Sequence, residues 1–247
     1  MDGTKRTREA PGTRCEVFIV IPARGESKGI PRKNLQDLDG HPLLAWSIAT
    51  GLSITAASGT LVSTEDVEIA NVARRYGARV IERPPDLATD EAPTEPVLLH
   101  AMEAVNASHE ASVALLQPTS PLRRRATVEH VITPVLYGHC TSALTVRMQH
   151  PFRWKANACL SGSRQYARRG RRQDLDPSYL ETGSVYVTRV DALRATGDRV
   201  SGSTRLVPVD SWEALDIDGR DELDLVRALA PHWPASERPH PPDSRLK

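Results

Sequence analysis

Four cations fall within ten residues of the segment Pro22-Ala23-Arg24-Gly25-Glu26-Ser27-Lys28-Gly29-Ile30-Pro31-Arg32-Lys33-Asn34. Glycines and a serine let backbone N–H groups approach an anion closely, and the side-chain cations neutralise several negative charges together, so the segment suits a polyphosphate. It is neither G-x-G-x-x-G nor G-x-x-x-x-G-K-[ST], which disfavours a dinucleotide site and a P-loop kinase. A second pattern is Asp216-Ile217-Asp218. In an extended chain residues i and i+2 project to one face, which would set two carboxylates side by side at a strand end. Such a pair suits Mg²⁺, which takes few protein carboxylates and fills its shell with water and phosphate oxygens. Alone, the pattern equally serves as a helix cap or a loop; the polyphosphate segment tips it toward the metal. The third is Leu116-Gln117-Pro118-Thr119-Ser120-Pro121-Leu122-Arg123, where two prolines fix the backbone and hold Gln117 and Ser120 as groups that read a base or a sugar hydroxyl must be held.

These patterns are placed by an alternation of strands and helices. Val17 to Ile21 is a continuous β-branched run, as in a strand buried on both faces, and the cationic segment follows it directly, where open α/β sheets bind ligands. Further strands are expected at Thr60–Val62, Val80–Ile81, Val113–Leu116, Ala143–Val146, Ser184–Val187 and Leu206–Val209. Helices are expected from Leu43 to Leu52, along the Ile69, Val72, Ala73, Tyr76 face closed by Gly77, and from a Thr94 cap through Val105. Others run from Thr127 to Leu136 despite Pro134, from Asp191 to Ala195, and from Asp221 to Leu229. The pattern predicts an α/β fold: a doubly wound, mostly parallel open sheet over residues 15–230. It dissolves into an Arg-rich segment over 147–182, read as an inserted lid or subunit contact. Residues 1–14 and 231–247 are polar or proline-rich and read as loose tails.

Composition narrows the rest. The 247 residues carry a formal charge of +1 and only 4% aromatic residues, which leaves no electrostatic or stacking argument for a nucleic-acid or membrane partner. The run Arg164, Arg168, Arg169, Arg171, Arg172 reads either as a solvated cluster or as an anion contact, and His150 has no visible partner. Cys15, Cys140 and Cys159 form no C-x-x-C pair, which points to a reducing, cytoplasmic setting. The apolar run Val17 to Ala23 is far too short to span a bilayer, and it leads into a charged loop and not a cleavage site.

Taken in order, Ile21 to Asn34, Val62-Ser63-Thr64-Glu65-Asp66, Leu116 to Arg123, and the aspartates flanking Ile217 resemble the acylneuraminate cytidylyltransferases, or CMP-sialic acid synthetases, between residues 17 and 230. The resemblance implies a Rossmann-like nucleotidyltransferase fold and transfer of CMP from CTP to a hydroxyl of an acidic, sialic-acid-like sugar, with release of pyrophosphate. It implies nucleotide contacts from Ala23, Arg24, Gly25, Ser27, Lys28, Lys33, Asn34, Ser63, Gln117 and Ser120. Acceptor contacts are implied for Gln117, Arg153, Arg172, Thr182, Gly183 and Tyr186, and Mg²⁺ ligation for Asp216 and Asp218. Arg24, Lys33, Asp216 and Asp218 become the catalytic set, and the insertion becomes a homodimer contact. One departure stands out: where relatives commonly carry asparagine before Gly-Ser, this chain has Thr182. Threonine cannot reproduce the donors and acceptor of an amide, so the acceptor is either a related nonulosonic acid or a different small acid such as a phosphonate.

Overall fold

A computed structural model describes residues 16–152, 154–156, 162–164 and 171–240, with side chains omitted for 154–156 and 162–164. Its strands are β1 (Val17–Pro22), β2 (Asp37–Leu38), β3 (His41–Pro42), β4 (Gly59–Thr64), β5 (Arg79–Glu82), β6 (Ser112–Leu116), β7 (Ser142–Gln149), β8 (Trp154–Ala156), β9 (Gly162–Arg164), β10 (Ser178–Arg189) and β11 (Thr204–Pro208). The helices are α1 (Leu43–Ser53), α2 (Val67–Arg75), α3 (Thr94–Ala104), α4 (Arg125–Leu136), α5 (Val190–Thr196) and α6 (Arg220–Leu229). Seven strands form one sheet in the order β11-β7-β10-β6-β1-β4-β5. Within it β1 runs parallel to β4 and β6, β4 to β5, and β7 to β11, while β10 is antiparallel to both its neighbours.

Side-chain alternation along β1 explains the layering. Val17, Ile19 and Ile21 join one apolar cluster with Ile48 of α1, Ile69 of α2 and Val131 of α4, whereas Val20 joins another with Leu98 and Met102 of α3 and Leu193 of α5. Successive strand residues face opposite sides, so a fully apolar strand demands helices on both. That is the doubly wound, mostly parallel open sheet expected from the sequence.

A third cluster bears directly on function. Ile30, from the cationic loop, packs with Trp46, Leu122, Ile217 and Leu223 of α6. Burying one such isoleucine contributes about 1.5–3 kcal/mol, so Ile30 and Ile217 dock the loop and the acidic segment onto a common apolar base.

Several expectations are corrected. Thr94 does not cap α3: it is the first helical residue, and the position before it is Pro93, without a side-chain cap. Proline in the preceding position already holds the extended backbone a helix entry needs. α4 begins at Arg125, and Pro134 stays inside it. The stretch from 231 is not loose as far as residue 240: Trp233 is buried in the third cluster, and Glu237 accepts from the backbone N–H of Arg125 at 2.9 Å. The buried indole offsets the ordering cost that prolines and charges suggested would go unmet. Regular structure also extends into 147–182 from both ends: β7 continues to Gln149 and pairs with Ser178 to Glu181 of β10 as a ribbon. Residues 1–14 lie outside the described residues.

Candidate active site

The cleft opens at the carboxyl ends of β1, β4, β5 and β6. It encloses about 480 Å³ and is lined by Arg24, Ser27, Lys28 and Lys33 on one wall, Arg83 and Asp90 on a second, and Gln117 and Asp218 on a third.

The cationic loop is tied down at several points. Asn34 is buried and donates through Nδ2 to the Arg24 carbonyl at 3.0 Å, Ala23 donates its backbone N–H to the Ser63 carbonyl at 3.0 Å, and Gly25 donates its own to Glu65 Oε1 at 2.7 Å. Arg32, in a left-handed conformation, pairs through Nη1 with Asp66 at 2.5 Å, and Asp66 also caps α2 by accepting from the Ile69 N–H. Burial of Asp66 works to raise its pKa, but the Arg32 hydrogen bond and the Ile69 N–H outweigh this and hold the carboxyl below its ordinary value. Lys33 reaches across and donates through Nζ to the Ile217 carbonyl at 2.6 Å. Gly29 sits so close to the acidic segment that a Cβ there would lie 2.5 Å from the Asp218 carbonyl oxygen, which only glycine permits. The loop and the paired aspartates therefore converge.

Asp216-Ile217-Asp218 belongs to no strand, contrary to the strand end expected, and Asp218 lies in a bend; the Ile217 N–H donates to the Thr119 carbonyl at 2.9 Å. Ile217 is buried in the apolar cluster, while Asp216 is half-buried and Asp218 exposed. Asp218 lines the cleft, and Asp216 accepts from Ser120 Oγ at 3.2 Å. Ser120 is itself fully buried and supports Asp216 from behind. Among the described residues no group of three or more His, Cys, Asp or Glu side chains could hold a metal by itself. Asp218 lines the cleft and Asp216 stands just outside the lining, beside Gln117, a pair that would suit a hard divalent ion taking its remaining ligands from water and phosphate.

On the third wall, Gly183 has φ of +73°, and a Cβ built there would stand 3.4 Å from both Asp216 Oδ2 and Gln117 Oε1, so these three residues meet. Thr182 is turned away: its hydroxyl lies 2.6 Å from Thr145 Oγ1, inside the sheet. Tyr186 also faces inward, donating to Glu181 Oε2 at 2.9 Å beneath the Arg199 guanidinium, with its phenol pushed up to about 12 by burial and by Glu181. Neither side chain lines the cleft. Arg172 is exposed and also outside the lining, and Arg153 lies outside the described residues.

Sequence reasoning missed Arg83 and Asp90. Ser63 is fully buried and does not line the cleft; its hydroxyl accepts from Arg83 Nε at 3.2 Å and its carbonyl from Arg83 Nη2, so Arg83 presents the charge there. Arg83 directly follows β5, and the rule that placed the first loop at a strand's carboxyl end would have found it. Asp90 pairs with Arg24 at 2.6 Å and Lys28 at 3.2 Å, in a loop with no such signal.

The fold and cleft are those of a nucleotide-handling α/β protein. A CMP:2-keto-3-deoxy-manno-octonic acid synthetase solved in complex with CTP shares the fold with a TM-score of 0.66 at 20% identity, over 88% of this chain and 99% of that one. The chain belongs to the cytidylyltransferase family, whose model matches residues 18–167. It is 33% identical over 226 residues to the CMP-N,N'-diacetyllegionaminic acid synthase of Legionella pneumophila subsp. pneumophila, covering 86% of this chain and 95% of that protein. It is 30% identical over 230 residues to N-acylneuraminate cytidylyltransferase A of Danio rerio, spanning 90% of this chain and half the length of that relative.

Proposed function

We propose that this protein transfers CMP from CTP to a hydroxyl of a nonulosonic, sialic-acid-like acid and releases pyrophosphate. One observation carries the reading: a cationic loop and a pair of aspartates, distant in sequence, are locked together around one cleft by the Lys33 bond to the Ile217 carbonyl. The family membership and the relatives named above support the choice of CTP and of a nine-carbon acidic sugar over a phosphonate.

In this reading the acceptor oxygen attacks the α-phosphorus, a new P–O bond forms, the bridging α–β P–O bond breaks, and pyrophosphate departs with its negative charge while the hydroxyl proton passes to solvent. The transfer needs alignment and charge neutralisation more than covalent help. Arg24, Lys28 and Lys33 hold the triphosphate and stabilise the leaving group beside Ser27, while Ala23 and Gly25, whose backbone N–H groups are bonded to Ser63 and Glu65, fix the course of the loop. Asn34 and Ser63 act indirectly, by shaping Arg24 and Arg83. Gln117 and Gly183 sit where nucleotide and acceptor meet, while Thr182 and Tyr186 brace the strand behind them. Asp216 and Asp218 would hold Mg²⁺, which supplies neutralisation of phosphate charge and lowers the pKa of a nearby hydroxyl.

Met148, Tyr179 and Leu180 are exposed on the β7–β10 ribbon, and this apolar face supports a homodimer contact there. Cys140, the free cysteine among the described residues, fits a reducing cytoplasm, and no helix among those residues is long and apolar enough to cross a membrane.

The test is pyrophosphate release with each nucleoside triphosphate against legionaminate, N-acetylneuraminate, Kdo and a small phosphonate. CTP with a nonulosonate is expected to be the productive pair. Release with a phosphonate but none of the sugars would overturn the acceptor assignment.

A further inference from the structure

The transfer step described above leaves one fully buried charge unused. Arg123 is 1% exposed, and no carboxylate pairs with it among the described residues. Each nitrogen of its guanidinium nonetheless donates a hydrogen bond: Nε to Ser184 Oγ at 3.2 Å, Nη1 to Ser47 Oγ at 3.0 Å, and Nη2 to the Gln117 carbonyl. Burial pushes its pKa down to about 9, against the distant pull of Asp216 and Glu213, so it remains a cation at neutral pH. Withdrawing such a charge from water without an ion-pair partner costs several kcal/mol. An apolar residue of similar size would fill the same space without that cost.

Its partners indicate what the charge does. Ser47 lies on α1, Gln117 directly follows β6, and Ser184 belongs to β10. Gln117 also donates its backbone N–H to the Ser184 carbonyl at 3.2 Å, so the Gln117 peptide groups are held toward β10 on both sides. We propose that Arg123 is a positioning residue for the transfer step: it clamps Gln117 to Ser184 and thereby holds the Gln117 side chain, Gly183 and the Asp216 carboxylate as one rigid constellation. This deepens the functional reading and rests on it. The cations of the first loop form no hydrogen bond with Arg123, so losing the clamp costs far more in turnover than in the loop contacts that hold the triphosphate.

The experiment compares Arg123→Met, Arg123→Lys, Ser184→Ala and Ser47→Ala by kcat, by KM for CTP and acceptor, and by melting temperature with and without CTP. Misplacing a reacting group by an ångström costs roughly a hundredfold, so Arg123→Met is expected to lose about that much in kcat while its CTP-dependent rise in melting temperature persists. Arg123→Lys, which keeps the charge without the fork, recovers part of the loss. Should Arg123→Met not fold, the serines decide: Ser184→Ala lowers kcat severalfold and Ser47→Ala, an anchor on the far side, lowers it less. An active wild type beside a folded Arg123→Met of near-normal kcat overturns the inference alone, as do equal losses of melting temperature in both serine variants without a change in kcat. A wild type that releases no pyrophosphate with any acceptor overturns the functional reading and the inference together.

Discussion

Arg24 and Asp90 face each other at the mouth of the cleft, with 2.6 Å between Nη1 and Oδ1, and Lys28 approaches the other carboxylate oxygen at 3.2 Å. In the free protein a carboxylate therefore occupies two of the cations that a triphosphate would use. In the proposed mode of binding, CTP would displace it. Asp90→Asn is expected to tighten CTP binding about three- to tenfold, a change on the order of 1 kcal/mol for a partly exposed pair. Calorimetric titration with CTP alone reads this directly, and the gain should shrink as salt rises. Unchanged or weaker binding would mean that Asp90 orients Arg24 instead of competing for it.

The paired aspartates make a second prediction. Asp218→Asn is expected to lower kcat about a hundredfold or more, the scale of losing one preorganised electrostatic contact, with the melting temperature of the free protein unchanged because Asp218 is exposed. EDTA should stop pyrophosphate release in the wild type, and added Mg²⁺ should restore it. Activity that survives both treatments removes the metal role.

Thr182 makes a structural prediction in place of the acceptor contact its position suggested. Thr182→Val keeps the shape but takes a hydroxyl from the Thr145 and Ser184 partners, so it is expected to cost about 1 kcal/mol in urea unfolding. The acceptor KM should stay within about twofold of the wild type, because the hydroxyl acts inside the sheet and not on the acceptor. A large rise in acceptor KM would return Thr182 to the sugar pocket.

Acid sensitivity follows from Asp66. Its pKa in the folded protein is held below the unfolded value, so its contribution is fully present above the unfolded carboxylate pKa and is lost as pH falls through the lower folded value. Wild-type stability should thus fall more steeply on acidification below about pH 4 than that of Asp66→Asn. The variant should also be less stable at neutral pH by about 1–2 kcal/mol, through loss of the Arg32 pair and a weaker cap on α2. Parallel pH profiles for the two proteins would contradict this.

Much of this architecture is legible in the residues themselves. The β-branched run of β1 announces a strand buried on both faces, and the cations after it mark the cleft, because strand ends in such sheets are where ligands bind. What the sequence conceals is direction. The Asp-x-Asp spacing brings Asp216 and Asp218 close together, but it shows neither the bend at Asp218 nor that Ser120 stands behind Asp216. Motif position alone cannot reveal that Ser63 acts through Arg83, or that the Thr182 hydroxyl points into the sheet, since both depend on hydrogen bonds between strands far apart in the chain. The order after residue 231 was hidden for another reason: a single buried tryptophan outweighs a local composition that favours disorder.

The irregularity in β10 between Glu181 and Tyr186 has a use beyond accommodating Gly183. Outward of it the strand belongs to the ribbon, where Tyr179 and Leu180 meet solvent; inward, it is locked into the central sheet between β6 and β7. The break acts as a seam. Residues 178–180 can therefore change with the exposed face of the ribbon, whereas Glu181, which holds the buried Tyr186 hydroxyl, marks where the fixed part of the strand begins.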